Sequence, residues 1–174
     1  LPTVIEHTER FDASMEELLP SVGMREIHLV IRMARALTGE RTPRDAHFDD
    51  SDDAEQILAV MAQRNQEGLH RYHLQQSRLH YLYGDYRAAL EMAELSERRQ
   101  IRKLGYILSY ELVLHHALAL AAVASGAAGR EREELVQRLR DRLALLQGWV
   151  DAGAREPFEH WALQVRAELA RVNG

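Results

Sequence analysis

Gly84-Asp85-Tyr86-Arg87-Ala88-Ala89-Leu90 decides how the chain folds. It marks a tight turn between two helical segments, residues 66–83 and 86–100, because glycine adopts the positive φ that such a turn needs and β-branched residues do not. Two helices joined by so short a turn lie antiparallel. Leucine and alanine dominate the rest of the chain, only 4 prolines interrupt it, and β-branched residues never gather into the alternating runs that mark strands. The predicted fold class is all-α.

Downstream of the hairpin, residues 104–124 are apolar nearly all round through Leu108, Leu112, Leu114, Leu118 and Leu120, the pattern of a central helix packed on several sides. Gly126 and Gly129 end it. Leu135, Leu139, Leu143, Leu146 and Val150 then step at helical spacing behind an acidic first turn of Glu131, Glu133 and Glu134, predicting a helix over 130–150 that stops near Gly153. Phe158, Trp161, Ala162, Val165, Leu169 and Val172 form the last apolar stripe, opened by Pro157 in the first turn, where a missing N–H is harmless. Upstream, Met24, Ile27, Val30, Ile31, Ala34 and Leu37 predict a helix over 23–38, closed by Gly39. A loop over 39–53 and a short helix over 54–62 follow. The reading is one helical-repeat domain over 23–174 preceded by a poorly specified segment, 1–22, which carries Pro2 and Pro20.

The chain has 174 residues, 46% hydrophobic and 28% charged, enough for one domain that buries roughly two-thirds of its surface. A net charge of -5 supplies no excess cation for a phosphate backbone, so no nucleic-acid partner is expected. No apolar run reaches the roughly 20 residues that span a bilayer, so no membrane partner is expected either. With 0 cysteines there is no disulfide, thiol nucleophile or cysteine zinc site, and the expected location is cytoplasmic. Lys103 is the sole lysine and lies in neither a phosphate-binding loop nor a kinase motif. No catalytic residue and no cofactor are predicted. A start at Leu1 rather than methionine suggests a piece of a longer protein.

Consecutive helices at a period near 34 residues point to a repeat array. Gly84-Asp85-Tyr86 with Ala88-Ala89-Leu90 resembles the second-helix start of a tetratricopeptide repeat, and in that register His73, Ser77 and His80 fall at its aromatic, small and second aromatic positions. The next pair, 104–124 and 130–150, keeps the rhythm but not the consensus. The expected architecture is therefore antiparallel helix hairpins stacked as a tetratricopeptide-like α-solenoid segment.

Glu67, His70, His73 and His80 share one helical face, and Glu-x-x-His is a carboxylate-bridged di-metal signature. A complete site needs a second Glu-x-x-His helix, and Glu111 with His115 has the wrong spacing, so packing is the favoured role and Glu67, His70 and His73 are kept as metal-ligand candidates only. Asp49-Asp50-Ser51-Asp52-Asp53 lacks the glycine and distal glutamate of a calcium loop and reads as a solvated helix start. All 6 tyrosines fall between Tyr72 and Tyr110. Tyrosine combines apolar area with a polar tip, which makes Tyr72, Tyr83, Tyr106 and Tyr110, together with Trp161, the candidate interaction residues.

Trp149, Phe158-Glu159-His160, Leu163, Val165, Ala167-Glu168-Leu169-Ala170-Arg171 and Gly174 resemble the end of the helical region in large bacterial signalling ATPases. Arg35, Leu37-Thr38-Gly39, Phe48-Asp49-Asp50, Gly84-Asp85-Tyr86 and His116-Ala117-Leu118-Ala119 look like earlier landmarks of that region, so the resemblance covers about residues 30–174. Those proteins join a serine/threonine-kinase-like domain, an ATPase module, a helical-repeat region, a GAF domain and often a histidine kinase. The link from Trp149 to Phe158 is one residue longer here, and Pro157 stands where a polar residue is usual. The resemblance implies a non-catalytic regulatory scaffold that contacts neighbouring domains of its own polypeptide or a protein or peptide partner. The rival expectation is a free-standing helical enzyme or metal-binding protein using the Glu67, His70 and His73 face. A homodimer is also expected, through an exposed terminal stripe of Trp161, Val165, Leu169 and Val172.

Overall fold

A computed structural model describes residues 37–38, 62–63, 65–99 and 107–174. Apart from Leu37, Thr38 and Ala62, the segment 1–22, the helices expected over 23–38 and 54–62 and the aspartate-rich loop between them lie outside the described residues. So does Tyr106. Among the described residues the chain is all-helical, with no strand: α1 (Gln66–Leu82), α2 (Tyr86–Arg98), α3 (Ile107–Gly126), α4 (Gly129–Asp151) and α5 (Arg155–Asn173).

The Gly84-Asp85 turn ends one helix and starts the next. Gly84 sits at φ +80°; its N–H donates to the Tyr81 carbonyl at 3.1 Å and that of Asp85 to the His80 carbonyl at 2.9 Å. This pair of bonds closes a helix on a left-handed residue. The Asp85 carboxylate then accepts the Ala88 N–H at 3.3 Å, so α2 begins at once. The same closure ends α4 at Gly153, φ +98°, with Gly153 donating to Val150 at 3.1 Å and Ala154 to Trp149 at 3.0 Å.

α2 buries only Ala89, Leu90, Ala93 and Ser96. That narrow, mostly small stripe lets α1 approach closely, and each helix donates a hydroxyl to the other's backbone. Ser77 Oγ reaches the Ala89 carbonyl and Ser96 Oγ the His70 carbonyl, both at 2.8 Å. α3 packs against all four other helices, the use its all-round apolarity foretold. α4 adds Leu135, Leu139 and Leu146 to the core, and α5 adds Phe158, Ala162 and Val165.

Two expectations need correction. α3, at 20 residues, is by length and composition apolar enough to cross a membrane, where the sequence reading found no such run. Glu111, His115 and His116 interrupt the run without lowering its mean hydropathy far. Much of the apolar surface of α3 is covered by its neighbours. The terminal stripe of α5 is not exposed: Val165 and Val172 are buried, and Trp161 and Leu169 pack against the same core. The apolar side of α5 is used up inside the chain by α3 and α4.

Each helix packs on the next, and α1 and α5 both pack on α3. Neither α1 with α5 nor α2 with α4 makes a backbone approach.

Candidate interaction surface

Among the described residues, four neighbours leave one flank of α3 partly uncovered. Past its first turn, the partly exposed positions of α3 are Glu111, His115 and Ala122, which fall on one side of the helix. α1 borders that line on one side, where Arg78 pairs with Glu111 at 2.7 Å. α5 borders it on the other, where Arg171 donates to Ser125 Oγ at 3.0 Å. Among the described residues α1 and α5 thus stand on either side of the line of Glu111, His115 and Ala122 without meeting each other, and the space between them is a groove.

The α1 wall carries Arg71, Gln75 and Arg78, at successive four- and three-residue steps, and Gln75 accepts from Arg78 at 3.4 Å. The α5 wall carries Trp161, the exposed Gln164, Glu168 and Arg171, with Glu168 and Arg171 ion-paired at 2.6 Å. At the end of the groove near the α1–α2 turn, burial raises the Tyr81 phenol; Glu168 adds to this and Arg171 opposes it. Burial, then the charge of Arg78, pushes the His115 imidazole down to about 4, so at neutral pH it offers a neutral ring.

The proposed metal ligands do not gather. Glu67 pairs along the helix with Arg71 at 3.7 Å. His70 turns instead toward α2, its Nδ1 2.8 Å from Ser96 Oγ and 3.0 Å from the Ser96 carbonyl. Burial lowers its pKa against the opposing pull of that carbonyl. His73 stands edge-on to Tyr72 with centroids 5.4 Å apart, and burial, followed by the charge of Arg99, holds it down at about 4. His80 lies 3.5 Å from Asp85. Among the described residues no three His, Asp or Glu side chains converge to hold a metal ion.

The interaction candidates divide. Tyr72 is only 4% exposed and belongs to the packing of α1. Tyr110 lies in an aromatic cluster, 4.7 Å from Trp149 and 5.0 Å from Phe158, while Trp161 packs on Phe158 at 5.5 Å and shares the groove wall. Tyr83, 46% exposed, stands at the hairpin tip beside Leu82 and Tyr86, both also exposed. Sequence reasoning missed Arg78, His115 and Arg171. The available signal was the pair Glu111 and His115, polar residues spaced at four inside an otherwise apolar helix, which were weighed only as a defective metal half-site.

Opposite the groove lies a second polar system. His116 of α3, fully buried, has its Nε2 3.2 Å from the Arg138 guanidinium of α4 and its Nδ1 3.6 Å from a Glu97 carboxylate oxygen of α2. Glu97 also receives both guanidinium nitrogens of Arg142, at 2.6 and 2.8 Å. Burial, then Arg142 and Arg138, drives His116 down to about 3. Comparison with protein-family models, curated proteins and solved structures gives no match, so function is argued from this geometry.

Proposed function

We propose that the chain is a non-catalytic, tetratricopeptide-like α-solenoid segment of a bacterial signal-transduction protein, which holds a protein segment in the groove between α1 and α5. The carrying observation is the partly uncovered flank of α3. A closed bundle would cover that side, whereas here alternate helices lie side by side on α3 and the first and last do not meet, as expected of stacked hairpins. A groove with the edge of a partly buried tryptophan, a neutral histidine and arginines already held by carboxylates suits an extended or helical peptide, since aromatics and arginines carry much of the energy at protein interfaces. The signalling assignment rests on the landmark residues from Arg35 to Gly174 and on nothing in the geometry. The occupant would be a neighbouring domain of the same polypeptide or a protein partner in the cytoplasm.

A photo-crosslinking residue at Gln75 or Gln164 on the groove walls, with Arg140 on the outer face of α4 as control, tests the reading in the full natural polypeptide. The expected result is one crosslinked protein segment, mapped by mass spectrometry, that is obtained from both groove positions and not from Arg140. Equal capture at all three positions, or none in the groove, would reject it.

A further inference from the structure

α2 and α4 are bridged across α3 by charge. Their backbones do not pack, yet three ion pairs bridge them: Arg87 with Glu131, Glu94 with Arg138, and Glu97 with Arg142. The sequence separations are 44, 44 and 45, so the two helices run parallel in a constant register. The pairs differ in depth. Side-chain exposure is 71% and 51% for Arg87 and Glu131, 40% and 35% for Arg138 and Glu94, and 18% and 38% for Arg142 and Glu97. The seam is therefore most firmly held near the aromatic cluster of Tyr110, Trp149 and Phe158, and least firmly near the Gly84 turn.

The α1–α2 hairpin is internally tied by its two reciprocal serine bonds. Toward α3 and α4, among the described residues, it contributes Ala89, Leu90 and the partly buried Tyr81 to the main core and sets Leu74 with Ala93 on Leu112, and charge acts on two sides. The seam pulls α2 toward α4; on the groove side, Arg78 with Glu111 holds α1 to α3.

We infer that the α2–α4 seam is an electrostatic hinge whose closure sets the width of the groove on the opposite side. Loosening the seam lets the hairpin roll on α3, moving α2 away from α4 and α1 toward α5. The motion starts at the exposed Arg87–Glu131 end and pivots near Glu97–Arg142, because exposed pairs are screened by salt far more than buried ones. The inference concerns groove geometry and stands whether or not the groove binds a protein segment.

The absence of native cysteine makes the test direct. Nitroxide labels are placed on Glu91→Cys and Glu134→Cys across the seam and, in a second protein, on Gln75→Cys and Gln164→Cys across the groove. Distances are read by pulsed electron resonance at about 0.01 M and about 1 M salt, where the screening length falls from about 30 Å to about 3 Å. The seam distance should lengthen and the groove distance shorten at high salt. Arg87→Glu should do the same at low salt, and the double exchange Arg87→Glu with Glu131→Arg should restore both distances. Circular dichroism of each variant separates hinge motion from unfolding. Two distances that stay constant, or that lengthen together, or a double exchange that fails to restore them in a folded protein, would overturn the hinge.

Discussion

Between α1 and α2 the buried residues that meet are mostly small or polar, Ser77, Ala89, Ala93, Ser96 and His70, with Leu74 the one large apolar side chain against Ala93, whereas α3, α4 and α5 meet through Leu120, Leu139, Leu146, Phe158 and Val165. The first interface is close and hydrogen-bonded, and the second is thick and apolar. Close approach brings backbone carbonyls within reach of hydroxyls, but it places titratable groups where water cannot solvate their charged forms. Thick packing gains its free energy from area alone and is indifferent to protons. One chain thus sets a proton-sensitive hairpin and its bed on α3, where His115 and His116 lie, against an apolar α4–α5 pair.

Acid gives the largest expected separation of the two. His73 and His115 are held down to about 4 and His116 to about 3; His73 lies in the hairpin, His115 on α3 beside Arg78 of the hairpin, and His116 on α3 between Glu97 of the hairpin and Arg138 of α4. Below the ordinary histidine value of about 6.5 the unfolded chain takes up protons that the folded chain refuses. Stability is therefore full above pH 6.5. It falls as pH drops, by up to about 1.4 kcal/mol per pH unit for each imidazole, and levels off below about 3. Hydrogen exchange between pH 7 and pH 4 should show α1 and α2 losing protection before α4 and α5. Simultaneous loss in all helices would erase the contrast.

Truncation should separate the regions in the opposite sense. Leu139→Ala empties a fully buried site in α4 and should cost about 3 kcal/mol. Ser96→Ala removes the hydroxyl that donates to the His70 carbonyl and should cost about 1.5 kcal/mol, with the lost protection confined to α1 and α2. Urea midpoints read the costs and hydrogen exchange their location. A larger cost at Ser96 than at Leu139 would mean that the hairpin, not the three-helix unit, dominates stability.

Local signals made the helices and turns legible. Gly84-Asp85, the even apolarity of α3 and the leucine steps of α4 each act within a few residues, where period and turn chemistry are readable. The groove and the seam were not legible, because both depend on partners far apart in sequence: Arg78 with Glu111, and Arg138 with Glu94. An arginine on an amphipathic helix looks the same whether it points to solvent or bridges two helices. Tyr72 stands among the interaction candidates for a related reason: tyrosine suits both an interface and a core, and only the burial of successive faces of α1 decides between them.

The smallest expected effects come from one substitution made in each region. Gly84, in the hairpin turn, has φ +80°, and an added Cβ would meet nothing within 4 Å, so Gly84→Ala is opposed by backbone strain and not by contact. An L-residue in that conformation costs about 1–2 kcal/mol, offset in part by about 0.4–1 kcal/mol from the smaller entropy of the unfolded chain. Gly148 lies inside α4 at ordinary helical geometry, and its Cβ would also meet nothing within 4 Å. There the strain is absent and the entropy remains, so Gly148→Ala should stabilise by about 0.5–1 kcal/mol. The two changes add the same methyl group in equally open space and should shift the urea midpoint in opposite directions with an unchanged slope. Gly84→Asn should recover most of the loss, because asparagine tolerates the left-handed region. If Gly84→Ala and Gly148→Ala moved the midpoint the same way, the turn at Gly84 would not be the strained closure that fixes the hairpin.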